Sequence, residues 1–243
     1  MDDWGELGDF ELSDLMDDSP ETDRRDSEVL VAEAAARGEK VTVLERSRRR
    51  LVKYLDYHFQ RIGNVSELMD PPKPGEQYRL VTQQGFNTFT FIVWLIERFG
   101  RIDSLDVVTF NMNEGTISAL MHLLDGGGIH QLRIVVSDSI KFRMPERVEQ
   151  LRREFSRRRD SGRFDVCFVW NHAKIALIAI GTDRFVIEGS GNFSSNAEIE
   201  QYLFENNADV YDFHREWLND ALFGERRGAR HELLLGEGRG QED

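Results

Sequence analysis

The residues from Trp170 to Tyr202 constrain the fold of this chain more than any others. They read W-N-H-A-K-I-A-L-I-A-I-G-T-D-R-F-V-I-E-G-S-G-N-F-S-S-N-A-E-I-E-Q-Y. Apart from Lys174, the run from Ala173 to Ile180 is apolar and too short for an ordinary helix, so it is predicted to be a strand. Gly181-Thr182-Asp183 is turn chemistry, and Phe185 to Ile187 is a second β-rich run. His172 and Lys174, two apart at the start of the first strand, are expected to share a face. Gly189, Ser190, Gly191 and Asn192 follow the second strand directly. In a hairpin the start of one strand lies beside the end of the other. An imidazole, an ammonium, a hydroxyl and a carboxamide should therefore meet at one end of the sheet. The glycines there leave room for a ligand to approach the backbone.

That set suits an anion, and a phosphodiester in particular. Lys174 supplies charge, while Ser190, Asn192 and nearby backbone N–H groups can hold non-bridging oxygens. His172 can attack phosphorus or move a proton near neutral pH. At these residues the sequence resembles the phospholipase D superfamily, whose signature is H-x-K, a spacer, then G-S-x-N. The resemblance implies an α/β fold, a mixed sheet flanked by helices. It also implies a carboxylate further on that orients the histidine, for which Glu200 is the first candidate and Glu198 and Glu205 are alternatives. Active members use two H-x-K units face to face, one histidine forming a covalent phosphohistidine and the other serving as acid and then base. This chain holds one unit, so the resemblance implies a homodimer with a composite site. One position departs from the family pattern. Five residues after Lys174, where the family has Asp, stands Ala179, and the spacer to Gly189 is longer than usual.

Charge is unevenly distributed. The net charge is −13, and residues 1–28 carry twelve acids against Arg24 and Arg25, which leaves −3 for the remainder. Residues 1–40 read as a disordered acidic tail, with Trp4, Leu7, Phe10, Leu12, Leu15 and Met16 set among the acids. Such a tail either keeps the chain soluble or docks on a basic site, its own domain's or a partner's, in place of nucleic-acid phosphates. Residues 41–75 read as a basic helix, with Arg46, Arg48, Arg49, Arg50 and Lys53, followed by a loop holding Pro71, Pro72 and Pro74. The basic cluster is either a phosphate-tracking surface or a solvated face. Residues 76–224 are expected to form the main domain, and 225–243 a mobile charged tail.

Within the main domain strands and helices alternate. Strands are expected at Tyr78–Thr82, Leu105–Phe110, Gln131–Val136, Phe164–Trp170 and Glu198–Phe204. Helices are expected at Phe86–Phe99, Thr116–Leu124, from Pro145 to about Arg158, and at Asp209–Phe223. The Phe86–Phe99 helix is apolar almost all round and should be buried. Gln83, Gln84, Asn111 and Asn113 sit in turns that either line the same site or only shape the chain. His58, His122, His130 and His214 read as structural or exposed. The single cysteine, Cys167, lies in an apolar run and reads as core. It leaves no intrachain disulfide possible, which together with the absence of a spanning or leader-like segment points to a reducing cytoplasm.

No metal-ligand cluster stands out, and the chemistry proposed for His172 requires no cofactor. The expected function is phosphodiester hydrolysis on nucleic acid, as a DNA endonuclease acting without a membrane. His172, Lys174, Ser190, Asn192 and Glu200 would form the catalytic set. The alternative is an inactive DNA-binding or regulatory protein that keeps the fold.

Overall fold

The computed structural model describes residues 69–82, 86–194 and 199–223, with residues 51, 58, 61, 62 and 65–67. Contacts divide the chain between residues 57 and 58, and every described residue but Leu51 lies in the second unit. The acidic tail, the Arg46–Lys53 cluster, Gln83, Gln84, Glu198 and the C-terminal tail lie outside the described residues.

The described chain forms a mixed α/β fold. Its strands are β1 (Gln77–Thr82), β2 (Ile102–Thr109), β3 (Ile129–Ser137), β4 (Phe164–Val169), β5 (Ile175–Ile180), β6 (Asp183–Gly189) and β7 (Glu200–Asn206). Its helices are α1 (Thr88–Phe99), α2 (Glu114–Asp125), the single turn α3 (Ile140–Arg143), α4 (Pro145–Arg158) and α5 (Ala208–Phe223). One sheet runs in the order β1-β7-β6-β5-β2-β3-β4. The β2, β3 and β4 strands are parallel, linked by the crossovers that carry α2 and α4. The other pairings are antiparallel, including that of β5 with β2.

The expected hairpin is present, with Ile175 opposite Glu188 and Ile180 opposite Asp183. Regular pairing begins at Ile175, so His172 and Lys174 precede β5 rather than opening it. Residues 65–67 are helical. The proline-bearing segment that follows is anchored to β7. Asn206 donates from Nδ2 to the Pro72 carbonyl at 3.1 Å and accepts at its own carbonyl from Gly75 N–H at 2.8 Å.

Two apolar layers hold the sheet. On one face α5 packs Tyr211 and Leu218 against Val108, Val135, Cys167, Ile175, Leu177, Ala179 and Val186. Cys167 is buried, as its apolar setting predicts. Asp106 lies buried on this face, paired with Arg133 of β3, which also donates to Asn219 of α5 at 2.8 Å. Pairing is what makes a buried carboxylate tolerable. On the other face α1 is buried along most of its length. Phe91 and Trp94 meet Phe204, which in turn meets Phe185, with ring centroids 5.3, 6.1 and 5.8 Å apart. Asn87 caps α1 by accepting from Phe89 N–H at 2.9 Å, and Gly100, at φ 80°, ends it.

Two consequences are measurable. A Cβ placed on Gly189 would lie 2.6 Å from the Gln201 carbonyl oxygen and 2.6 Å from Cδ1 of Tyr202. Backbone oxygen yields little, so Gly189→Ala should destabilise the domain by about 1–3 kcal/mol, read from urea midpoints. His58 is buried against Thr90 Oγ1 at 2.8 Å. Burial, aided by the charge of Arg61, pushes its pKa down from 6.5 to about 4. Between those values the unfolded chain binds the proton and the folded one does not. Stability should therefore fall as pH drops from about 6.5 towards 4, by about 3 kcal/mol. His58→Gln should flatten that slope in urea titrations across the same window.

Candidate active site

The carboxyl ends of β2, β3, β4 and β6 and the starts of β5 and β7 lie at the same end of the sheet. In open α/β sheets ligands bind at such an end, outside the carboxyl ends of the parallel strands. Lys174 stands in this rim. Extending the register from Val108–Ile175 sets Thr109 beside it, and Gly189 N–H donates to the Lys174 carbonyl at 3.3 Å from the other side.

His172 is exposed and Lys174 half-buried. The Lys174 ammonium donates to the His172 carbonyl at 2.8 Å and lies 3.2 Å from His172 Nδ1. An ammonium only donates, so Nδ1 is the acceptor and the neutral ring carries its proton on Nε2. The His172 ring also lies against Phe110, with centroids 4.9 Å apart and planes tilted by 47°. Lys174 Nζ is 6.0 Å from the Phe110 centroid, and the Arg143 guanidinium 5.9 Å from it. The predicted same-face relation of His172 and Lys174 therefore appears as direct contact.

Ser190 and Glu200 form a second pair one strand across. The Ser190 hydroxyl donates to the Glu200 carboxylate in a short hydrogen bond and accepts from Gln201 N–H at 3.0 Å. Glu200 is close enough to Lys174 to act on its charge. Burial lowers the Lys174 pKa from its ordinary value, and the Glu200 carboxylate opposes that shift. Among the described residues no hydrogen bond joins Glu200 to His172, so Ser190 takes the place expected for the imidazole. Asn192 is half-buried, and its Oδ1 accepts from the Thr109 hydroxyl at 3.5 Å. Thr109 also donates to the Asn111 carbonyl at 2.8 Å and accepts from Phe193 N–H at 3.4 Å, which ties the loop after β6 to the end of β2.

The remaining candidates are otherwise engaged. Glu205 lies five residues along β7 from Glu200, about 16 Å at strand rise, and accepts from Asn207 Nδ2 at 3.1 Å. Asn111 accepts from its neighbour Met112 N–H at 2.7 Å, and Asn113 caps α2 by accepting from Thr116 N–H at 2.7 Å. Both amides do turn work. His214 is buried on α5, where Trp217 Nε1 donates to its Nδ1 at 3.0 Å and Glu188 lies 3.2 Å from its Nε2. Ala179 is equally distant from Lys174 along β5, and it faces α5 while Lys174 falls on the other face. A carboxylate at 179 would not reach the histidine.

Thr109, Phe110 and Arg143 were not singled out from the sequence. Phe110 closes an apolar run and reads as core. Only the pairing of β2 with β5, two elements far apart in the chain, brings it to His172. Among the described residues no group of three or more His, Cys, Asp or Glu is gathered to hold a metal ion, and no helix is long and apolar enough to cross a membrane.

No protein-family model matches the sequence, and no curated protein is significantly similar to it. Solved structures resemble it remotely. A phosphatidylserine synthase from Haemophilus influenzae Rd KW20 aligns over 61% of this chain and 38% of its own at 16% identity, TM-score 0.44. A polyphosphate kinase from Porphyromonas gingivalis aligns over 61% and 26% at 21% identity, TM-score 0.43. TrmBL2, an archaeal chromatin protein whose structure shows a novel mode of DNA binding, aligns over 73% and 64% at 10% identity, TM-score 0.41. The chain thus spans well under half the length of the first two. At these scores the functional reading rests on the residues of this chain.

The link from Glu200 to Lys174 can be measured. Glu200→Gln removes the charge that raises the Lys174 pKa and leaves the burial that lowers it. The Lys174 titration should therefore move further down, detectable in the pH dependence of amine labelling or in the side-chain NMR shift.

Proposed function

We propose that the protein is a phosphodiesterase acting on nucleic acid, a DNA endonuclease working through a phosphohistidine in a homodimeric site. The observation that carries the reading is the Lys174–His172 contact at the open end of the sheet, with Ser190 and Glu200 on the neighbouring strands. The H-x-K and G-S-x-N motifs, which resemble those of the phospholipase D superfamily, support it.

The chemistry follows from the ring proton. With Lys174 donating to Nδ1, the neutral His172 ring holds its proton on Nε2; a general acid must carry protons on both ring nitrogens, so in that role Lys174 would leave Nδ1 and keep its bond to the His172 carbonyl. A nucleophile needs the Nε2 lone pair, and therefore a proton on Nδ1 held by an acceptor. Two copies can divide these roles. In one, Nε2 attacks phosphorus and a P–N bond forms. The P–O bond to the leaving nucleotide breaks, and that oxygen takes the Nε2 proton of the second copy. The second His172 then takes a proton from water, the hydroxide attacks phosphorus, and the P–N bond breaks to restore the first. Lys174 and the Ser190 hydroxyl would hold the non-bridging oxygens. Glu200 could turn from Ser190 to the Nδ1 of the nucleophilic copy.

A second reading is an inactive phosphate-binding protein on nucleic acid. It is favoured by one observation, the engagement of Glu200 with Ser190 rather than with His172. Plasmid incubated with the purified protein in EDTA separates the two. The enzyme reading expects nicking that falls by at least about a thousandfold in His172→Ala and Lys174→Ala, with a solution mass of two chains. Binding without nicking would establish the second reading instead.

A further inference from the structure

Beside the proposed chemistry lies an aromatic surface that it does not use. Trp170, two residues before His172, is 88% exposed, and Phe142 on α3 is also 88% exposed. Large rings left in water forgo about 1.5–3 kcal/mol of burial each, so their placement invites an explanation. They belong to one stretch of surface. Asp138 N–H donates to the Val169 carbonyl at 2.9 Å, and Lys141 Nζ lies 5.5 Å from the Phe168 ring centre. The α3 turn therefore packs along the end of β4, just before Trp170. At its far end Arg143 meets Phe110, the ring that His172 and Lys174 also meet. Trp170 at the end of β4, Phe142 on α3 and Phe110 beside His172 thus lie along one side of the rim with Arg143 and Lys174, while Lys141 is paired with Asp138.

Aromatic faces set among cations take unpaired bases by stacking and phosphates by charge. A duplex offers the phosphates but keeps its base faces stacked away. We propose that this rim is a stacking platform for an unpaired stretch of nucleic acid, so that the strand presented to His172 is single-stranded. The proposal rests on the reading of His172 as acting on nucleic acid and adds the form of the substrate.

The test uses the full chain with His172→Ala, in EDTA, so that nothing is cleaved. Fluorescence anisotropy compares a labelled single-stranded oligo-dT with a duplex of equal length. The expected result is at least tenfold tighter binding of the single strand, with Trp emission quenched on binding. Trp170→Ala and Phe142→Ala should each weaken single-strand binding by about 5- to 50-fold, leave duplex binding within about twofold, and leave the melting temperature unchanged, since both rings are exposed. Equal or tighter duplex binding overturns the proposal. So does single-strand affinity that survives both substitutions, including the case where they halve the solution mass and reveal a subunit contact. If the unsubstituted chain cleaves neither plasmid nor single-stranded DNA while the single-strand preference still depends on Trp170 and Phe142, the phosphodiesterase reading falls and this one stands.

Discussion

The site depends on a charged residue fixed at the end of a strand that cannot slide. Ile175 to Ala179 is apolar and buried on both faces, between β2 and β6. A shift of one residue would exchange every side chain between the α5 face and the α1 face. Neither layer would accept that exchange, since Leu177 and Ala179 fit beneath Tyr211 while Ile178 lies on the side of the Phe185–Phe204 cluster. Lys174 therefore has one position, between Thr109 and Gly189. His172 inherits it, because the ammonium holds both the carbonyl and the ring nitrogen of that residue.

The hairpin was legible because its signals are local. The apolar run, the Gly181 turn and the Gly189–Asn192 exit lie within a few residues of one another, and so does the His172–Lys174 pair. The alternation of strands and helices was legible too, since α2, α4 and α5 carry stripes and the strands between them are short and apolar. Strand order was not. That β2 lies against β5, and so brings Thr109 and Phe110 to the site, is a long-range pairing with no trace in local pattern. The partner of Glu200 was also out of reach. The resemblance implied a role near the imidazole, but the choice between His172 and Ser190 is made by side-chain direction at the rim.

The same separation of faces explains why Ala179 weighs less on the chemistry than its place in the motif suggests. Along β5, distance and side both remove it from the histidine. Its neighbours are the apolar residues under α5 and, one strand over at Ser104, the hydroxyl that meets Tyr211 OH at 3.3 Å. What that position governs is how α5 seats on the sheet. The charged pair on this face, Asp106 with Arg133, reaches α5 through Asn219, so helix and sheet are joined by polar as well as apolar contact.

The outermost strand bears on how copies of this molecule can meet. β1 is short, and its residues alternate between exposed and half-buried, with Gln77, Arg79 and Val81 open to water. It starts just after Pro71, Pro72 and Pro74, whose rings offer no amide hydrogens, and that lead-in is fastened to Asn206. A charged, brief border of this kind is a poor template for adding a foreign strand. Ribbon-like stacking of molecules through this border is thereby discouraged.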